Sequence, residues 1–485
     1  MDKQQKLTFW VLGGLGIVLW LINWWTNRAL FIDEANVARN LYEMKFAAFF
    51  TGPLRYEQYA PPLYLVAAKA CGEVFGYGER ALRLPALLSG LIALFALWRA
   101  GDYLKLGWWA LLPISLLIIN PTVLRYTGEL KPYAGDLGVA ALLTCLGLSK
   151  RNIPWWAWLV GGATAVWASL PAIFVLFGVG LANFLCILRP RQNVRSERFK
   201  WLMIGAFWLL AFGLLYVTVL RSSVGSGYLR SYHEAYFFPL PAANYPWKKL
   251  LTLSLLLVKT AFGFTLVAIV FGVATTIAGL ARAGRREIIM LGAPLVSVLV
   301  ASGFGFYSLL PRLLLFVLPA WWLIAAIGSK AIFEQIAPQK TRYLLAIGWI
   351  IVLFGTNVVR HYWSPMSFSD ARRLVAAAPI DGHPVTLLHQ SVIPAFRYYR
   401  DIHPNRPASY VDAREANIKD VSSPGDYLLL YDVLTHPNIR RDMGKDIKWA
   451  TARGCKVRTE TMYRAAAVYV FCPVDSLDGP PMPNL

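Results

Sequence analysis

Charge is scarce in this chain, and most of what there is has one sign. Only 15% of its 485 residues are charged, and 27 acids face 48 Lys and Arg; 57% are hydrophobic and the mean hydropathy is +0.47. So low a charged fraction excludes a soluble protein of this length and leaves a polytopic membrane protein. Glycine-rich nucleotide signatures are absent, so a cytoplasmic nucleotide sugar or ATP has no support. No spacing of His, Asp and Glu makes a metal motif, and internal repeats and low-complexity tracts are missing as well. The first apolar segment lacks a small-residue cleavage motif and runs into Trp24 and Trp25, which reads as a retained helix and not a cleaved signal.

A hydrocarbon core of about 30 Å takes roughly 20 apolar residues per helix. Such stretches lie near 8–26, 82–99, 106–123, 132–149, 153–169, 171–188, 201–220, 264–281, 288–303, 313–329 and 343–359. About eleven spans put the termini on opposite sides of the bilayer. Lys3, Lys6, Arg99, Lys105, Lys150, Arg151 and the stretches 189–200, 282–286 and 330–342 form bands of basic residues on one side, which the positive-inside rule makes cytoplasmic. These anchors account for most of the net charge of +21, so nucleic-acid binding has no support. Asp33, the loop around Glu129, the 221–249 segment, the surroundings of Arg312 and everything after Arg360 then face outwards.

The expected fold is an α-helical polytopic membrane protein in the cytoplasmic (inner) membrane, N-terminus inside. Residues 1–362 form its transmembrane body, and the first outer loop, 33–80, carries interfacial helices. Val37, Leu41, Met44 and Ala48 recur at helical spacing there, and Pro61-Pro62 opens a second short helix ending near Gly76. The 221–249 segment begins with Ser222, Ser223, Gly225, Ser226 and Gly227, a hinge before a lid or interfacial helix. Residues 363–485 read as a small α/β domain outside the membrane, with strands at 384–388, 426–431 and 465–471 and a helix over 391–399. Cys455 and Cys472 either pair between neighbouring strands of that domain or remain two buried thiols.

Three groups of outward-facing residues carry chemistry-bearing side chains. The first is Asp33-Glu34. Asp33 alone would serve as a helix N-cap; two adjacent carboxylates at a membrane surface can also orient and deprotonate a hydroxyl. The second is Arg125, Glu129 and Lys131, with Tyr133 and Asp136 following. These are either interfacial charges snorkelling from the bilayer or a cradle in which cations hold a phosphate or diphosphate. The third is Tyr307 with Pro311-Arg312, where the arginine is a boundary anchor or joins the cradle. His233, alone among aromatics, is structural or part of the site.

Gln58, Pro61, Pro62, Leu63 and Tyr64, the run Gly76-Tyr77-Gly78-Glu79-Arg80 through Ala86, and the block Arg125-Tyr126 to Asp136 together resemble the protein O-mannosyltransferase and lipid A aminoarabinose transferase branch of the GT-C membrane glycosyltransferases. The similarity is good over residues 25–140, looser to 360 and absent beyond. It implies an inverting glycosyltransferase that takes a sugar from a polyprenyl phosphate and passes it to a hydroxyl of a glycan, lipid or protein. By this resemblance Asp33 is the general base and Glu34 its partner. Lys131, Arg312 and Arg125 bind the donor phosphate, and Tyr59, Glu129, Tyr133, Asp136, His233 and Tyr307 line the substrate path. No cofactor is required; Mg²⁺ or Mn²⁺ is compatible with acids near a phosphate, but no ligand set calls for it. The rival reading is a flippase for lipid-linked sugars. It needs a polar path through the bundle, and the spans carry few charges besides Lys259.

Overall fold

The computed structural model describes residues 3–149, 151–186, 194–221, 231–240, 246–263, 265–336, 341, 348, 368–378, 384–402, 411–412, 426–462 and 464–472. The chain divides into two compact units. One comprises Met1–Trp25, Lys45–Val74 and Arg83–Ser364, the other Thr26–Met44, Phe75–Leu82 and Pro365–Leu485.

Helices stand at ten of the expected spans: Lys3–Trp25, Glu79–Tyr103, Leu111–Ile119, Tyr133–Leu148, Trp155–Ala168, Ala172–Leu185, Val194–Leu215, Leu266–Arg282, Arg285–Gly303 and Leu318–Ile336. The stretch 343–359, apart from residue 348, and the hinge at 222–227 lie outside the described residues. Among the described residues, four helices are individually long and apolar enough to cross a membrane; Trp247–Phe262 and Leu266–Arg282, bent by 93°, make a fifth if they are one broken span. The helix Trp247–Phe262 stands where the sequence reading assigned none. Lys248, Lys249 and Lys259 interrupt its apolar run and hide it from a hydropathy window.

Close helix packing in the first unit rests on small residues and polar side chains. Leu266–Arg282 and Leu318–Ile336 approach so closely that a Cβ on Gly279 would overlap the carbonyl of Ile324, and one on Gly328 that of Thr275; small residues allow this approach where lipid gives no hydrophobic drive. Asn120 breaks the run between Leu111–Ile119 and the short helix Pro121–Tyr126. Its Oδ1 caps the second helix at Thr122 N (3.0 Å) and Val123 N (3.2 Å), while its amide donates to Thr260 O at 2.7 Å.

The second unit is built on a five-stranded sheet: β1 Val385–Leu388, β2 Val411–Asp412, β3 Asp426–Tyr431, β4 Lys456–Thr461 and β5 Ala466–Phe471, in the order β2-β1-β3-β5-β4. The first three in that order run parallel; β5 is antiparallel to β3 and β4. Leu387, Tyr427, Leu429, Trp449, Val468 and Val470 make its core. Cys455 and Cys472 flank the paired β4 and β5 and form a disulfide, resolving the two alternatives. The helix Ile32–Glu43 belongs to this unit and packs on Ile393–Ile402. The Tyr399 hydroxyl accepts from Leu30 N at 2.7 Å and donates to Glu79 Oε1 at 2.7 Å, and Arg372 pairs with the same carboxylate at 3.4 Å.

Candidate functional site

The basic cradle forms within the first unit. After the Pro121–Tyr126 helix the backbone turns tightly, Lys131 N–H bonding to Glu129 O at 2.8 Å, before Tyr133–Leu148 begins. Glu129 is buried and accepts from Arg125 Nε at 2.8 Å, and the Arg125 guanidinium lies 5.1 Å from the Tyr126 ring centre. The rings of Tyr126 and Tyr133 meet edge to face at 4.8 Å. Lys131 is 9% exposed and donates through Nζ to Gln58 Oε1 at 2.9 Å.

Arg312 reaches the same group from a distant part of the sequence. Pro311 sets the first position of a 3-10 turn, Pro311–Leu314, and the guanidinium stands 5.9 Å from the ring centres of both Tyr133 and Tyr232. Its Nη2 is 3.4 Å from Tyr232 OH. The loop bearing Tyr232 and His233 is tied down by Leu309 N–H to Tyr236 O and by Phe238 N–H to Ser302 Oγ, each at 3.0 Å. Burial and the Glu129 charge raise the Tyr126 pKa, against the opposing pull of Arg125 and Arg312, so its hydroxyl keeps its proton as a donor. Burial pushes His233 down, and the Arg312 charge adds to this. Tyr307 is driven well up, chiefly by burial; its hydroxyl donates to Leu313 O at 2.7 Å.

Beside this polar group lies an apolar groove of about 1380 Å³, lined by Phe174, Phe177, Leu181, Trp201, Trp208 and Phe212, with Tyr59, His233, Tyr307 and Ser308 among its few polar side chains. Tyr232 links the two, touching Arg312 on one side and packing edge-on against His233 at 5.1 Å on the other. Ser308 Oγ, on a residue 5% exposed, and His233 Nδ1 have no hydrogen-bond partner among the described residues. Asp136 is engaged by Ser169, whose Oγ donates to its Oδ1 at 2.7 Å. Among the described residues no three His, Cys, Asp or Glu side chains gather as a metal site.

The acidic pair lies in the second unit. Phe31 occupies the N-cap of Ile32–Glu43, so Asp33 is not the cap residue; it sits in the first turn. Glu34, 2% exposed, reaches back to accept from Phe31 N–H at 3.4 Å, the carboxylate half of a capping box. Glu34 thus holds the helix start, and Asp33 stands beside it in the same first turn.

The sequence brought Arg125, Glu129, Lys131, Tyr133, Arg312, Tyr307 and His233 into view, and the structure gathers these in one region of the first unit. It missed Tyr126, Tyr232, Gln58 and Ser308 as members. Gln58 stood within a quoted motif and Tyr232 beside His233, but neutral hydrogen-bonding side chains leave no charge pattern to follow.

No family model and no curated protein sequence matches the chain. Solved structures do. ArnT from Cupriavidus metallidurans bound to undecaprenyl phosphate superposes with a TM-score of 0.53 at 16% identity, covering 97% of this chain and 99% of ArnT. The apo state of ArnT gives 0.54 at 16% identity, over 98% and 100%. The chain has the fold of ArnT. The alignment spans nearly the whole length of both chains.

Proposed function

We propose that the chain is an inverting glycosyltransferase of the cytoplasmic membrane, moving a sugar from a polyprenyl phosphate to an acceptor hydroxyl on the outer face. The observation that carries this reading is the junction through Tyr232 of a cationic, tyrosine-walled cluster with a large apolar groove. A ligand that satisfies both has an anionic head and a hydrocarbon chain. The likeness to ArnT, a protein captured with undecaprenyl phosphate, supports the same class of ligand.

The chemistry follows from the charges. As the acceptor oxygen bonds to the anomeric carbon, the bond from that carbon to the phosphate oxygen breaks and polyprenyl phosphate leaves. Lys131 and Arg312 stabilise the negative charge that grows on it, so no general acid is needed. The acceptor's proton passes to a carboxylate, for which Asp33 is the proposed base; Glu34 holds the helix turn that carries it. The groove takes the prenyl chain. An outward-facing C-terminal unit accords with its disulfide, since such bonds persist in oxidising compartments.

Asp33→Asn in reconstituted vesicles supplied with polyprenyl-phosphate sugar should fold and bind donor but lose transfer. Transfer at the wild-type rate would remove Asp33 as the base.

A further inference from the structure

Two polar atoms on residues of the groove wall have nothing to bond to. Ser308 Oγ and His233 Nδ1 are covered by protein yet have no hydrogen-bond partner among the described residues. Ser308 is only 5% exposed. Folded proteins pair the large majority of such atoms, because a buried donor or acceptor left alone has given up its water for nothing. The adjacent side chain shows the ordinary outcome: Tyr307 OH donates to Leu313 O at 2.7 Å.

A loose backbone does not explain the two exceptions. Leu309 N–H bonds to Tyr236 O and Phe238 N–H to Ser302 Oγ, each at 3.0 Å, so the segments that carry Ser308 and His233 are stitched together at two points. A serine hydroxyl turns about a single bond among staggered wells, so Oγ can meet a ligand in the groove while this backbone stays in place.

The neighbouring cation indicates what that ligand offers. His233 packs edge-on against Tyr232 at 5.1 Å, and Tyr232 OH lies 3.4 Å from Arg312 Nη2. An anion held by Arg312 is therefore one tyrosine ring away from His233. Both unpaired side chains can donate to such an anion, serine through its O–H and histidine through an Nδ1–H. Burial and the Arg312 charge favour the neutral imidazole, which still carries one N–H.

We infer that Ser308 and His233 are further ligands of the donor phosphate, donating hydrogen bonds to its oxygens where the prenyl chain enters the groove. This rests on the polyprenyl-phosphate reading above. The cations supply charge, and the neutral pair supplies direction. A hydroxyl reserved for a ligand behaves oppositely to one that braces the fold. Removing it relieves an unpaired buried atom in the free protein, so stability is kept and only affinity falls.

The test is equilibrium binding of undecaprenyl phosphate and of undecaprenol, which has the chain without the phosphate, to the full-length protein in nanodiscs. Wild type, Ser308→Ala and His233→Phe are compared, with thermal unfolding measured in parallel. Ser308→Ala should unfold no earlier than wild type yet bind undecaprenyl phosphate about tenfold more weakly, as expected for one hydrogen bond to a charged group. His233→Phe, which keeps a flat ring against Tyr232, should also bind it more weakly. Neither variant should lose affinity for undecaprenol. Wild-type affinity for undecaprenyl phosphate in Ser308→Ala, an equal loss for undecaprenol, or earlier unfolding would each overturn the inference while leaving the donor reading intact. Failure of the wild-type protein to bind undecaprenyl phosphate would instead overturn the donor reading, and this inference with it.

Discussion

Replacing Asp432 by asparagine should remove a specific part of the pH dependence of the C-terminal unit. Asp432 follows β3 and is 0% exposed. Its carboxylate accepts from Ser369 Oγ and, at 3.0 Å, from Asp370 N. Loss of water outweighs these bonds and pushes its pKa from 3.8 up to about 7. Because the folded value lies above the unfolded one, the folded chain binds more protons between the two. The associated stability is fully present below the unfolded value and is lost as the pH rises through about 7. The whole interval corresponds to about 4 kcal/mol, at about 1.36 kcal/mol per pH unit. An amide keeps the acceptor for Asp370 N–H and can donate to Ser369 Oγ as the protonated acid does, but it does not titrate. His389, which burial pushes down, contributes the opposite slope below its ordinary value of 6.5, so the comparison must be mutant against wild type at each pH. Hydrogen exchange of the β3 amides in the full-length protein, corrected for intrinsic rates, reads the opening free energy. From pH 5 to pH 8 the wild type should lose about 2–3 kcal/mol relative to Asp432→Asn. Parallel profiles would refute the reasoning.

Gly205 lines the groove, and a Cβ there would meet nothing within 4 Å. Gly205→Trp should therefore fold normally but occupy the space for a prenyl chain, abolishing undecaprenyl-phosphate binding in nanodiscs; unchanged affinity would show that the chain lies elsewhere. The Cys455–Cys472 bridge spans 17 residues of sequence. Cys455→Ser should cost about 3 kcal/mol, seen as faster exchange in β4 and β5, and exchange at the wild-type rate would contradict that figure.

Apolar patterning made most of the architecture legible. The strands β1, β3 and β5 are mostly apolar, and β3 falls on its expected residues, Asp426–Tyr431. β4, Lys-Val-Arg-Thr-Glu-Thr, is a largely exposed edge strand with no apolar alternation to betray it, and the helix Pro437–Ala452 was missed because half of its residues are polar. The assembly of the site was legible through charge alone. Lys131 and Arg312 stood out as cations at one membrane boundary, and Arg312 stands 5.9 Å from the ring of Tyr133, two residues after Lys131. Their neighbours Gln58 and Tyr232 were hidden, because neutral side chains leave no charge pattern to follow. That Glu34 and not Asp33 caps the helix was hidden too, since it depends on the helix starting at Ile32 and not one or two residues later.

The most direct test of the account is equilibrium binding of undecaprenyl phosphate to the full-length protein against Lys131→Gln and Arg312→Gln. Each substitution removes a charge-assisted contact worth about 1.5–3 kcal/mol, so affinity should fall about tenfold to a hundredfold in each. Equal affinity in all three proteins would contradict the cradle, and with it the proposed function.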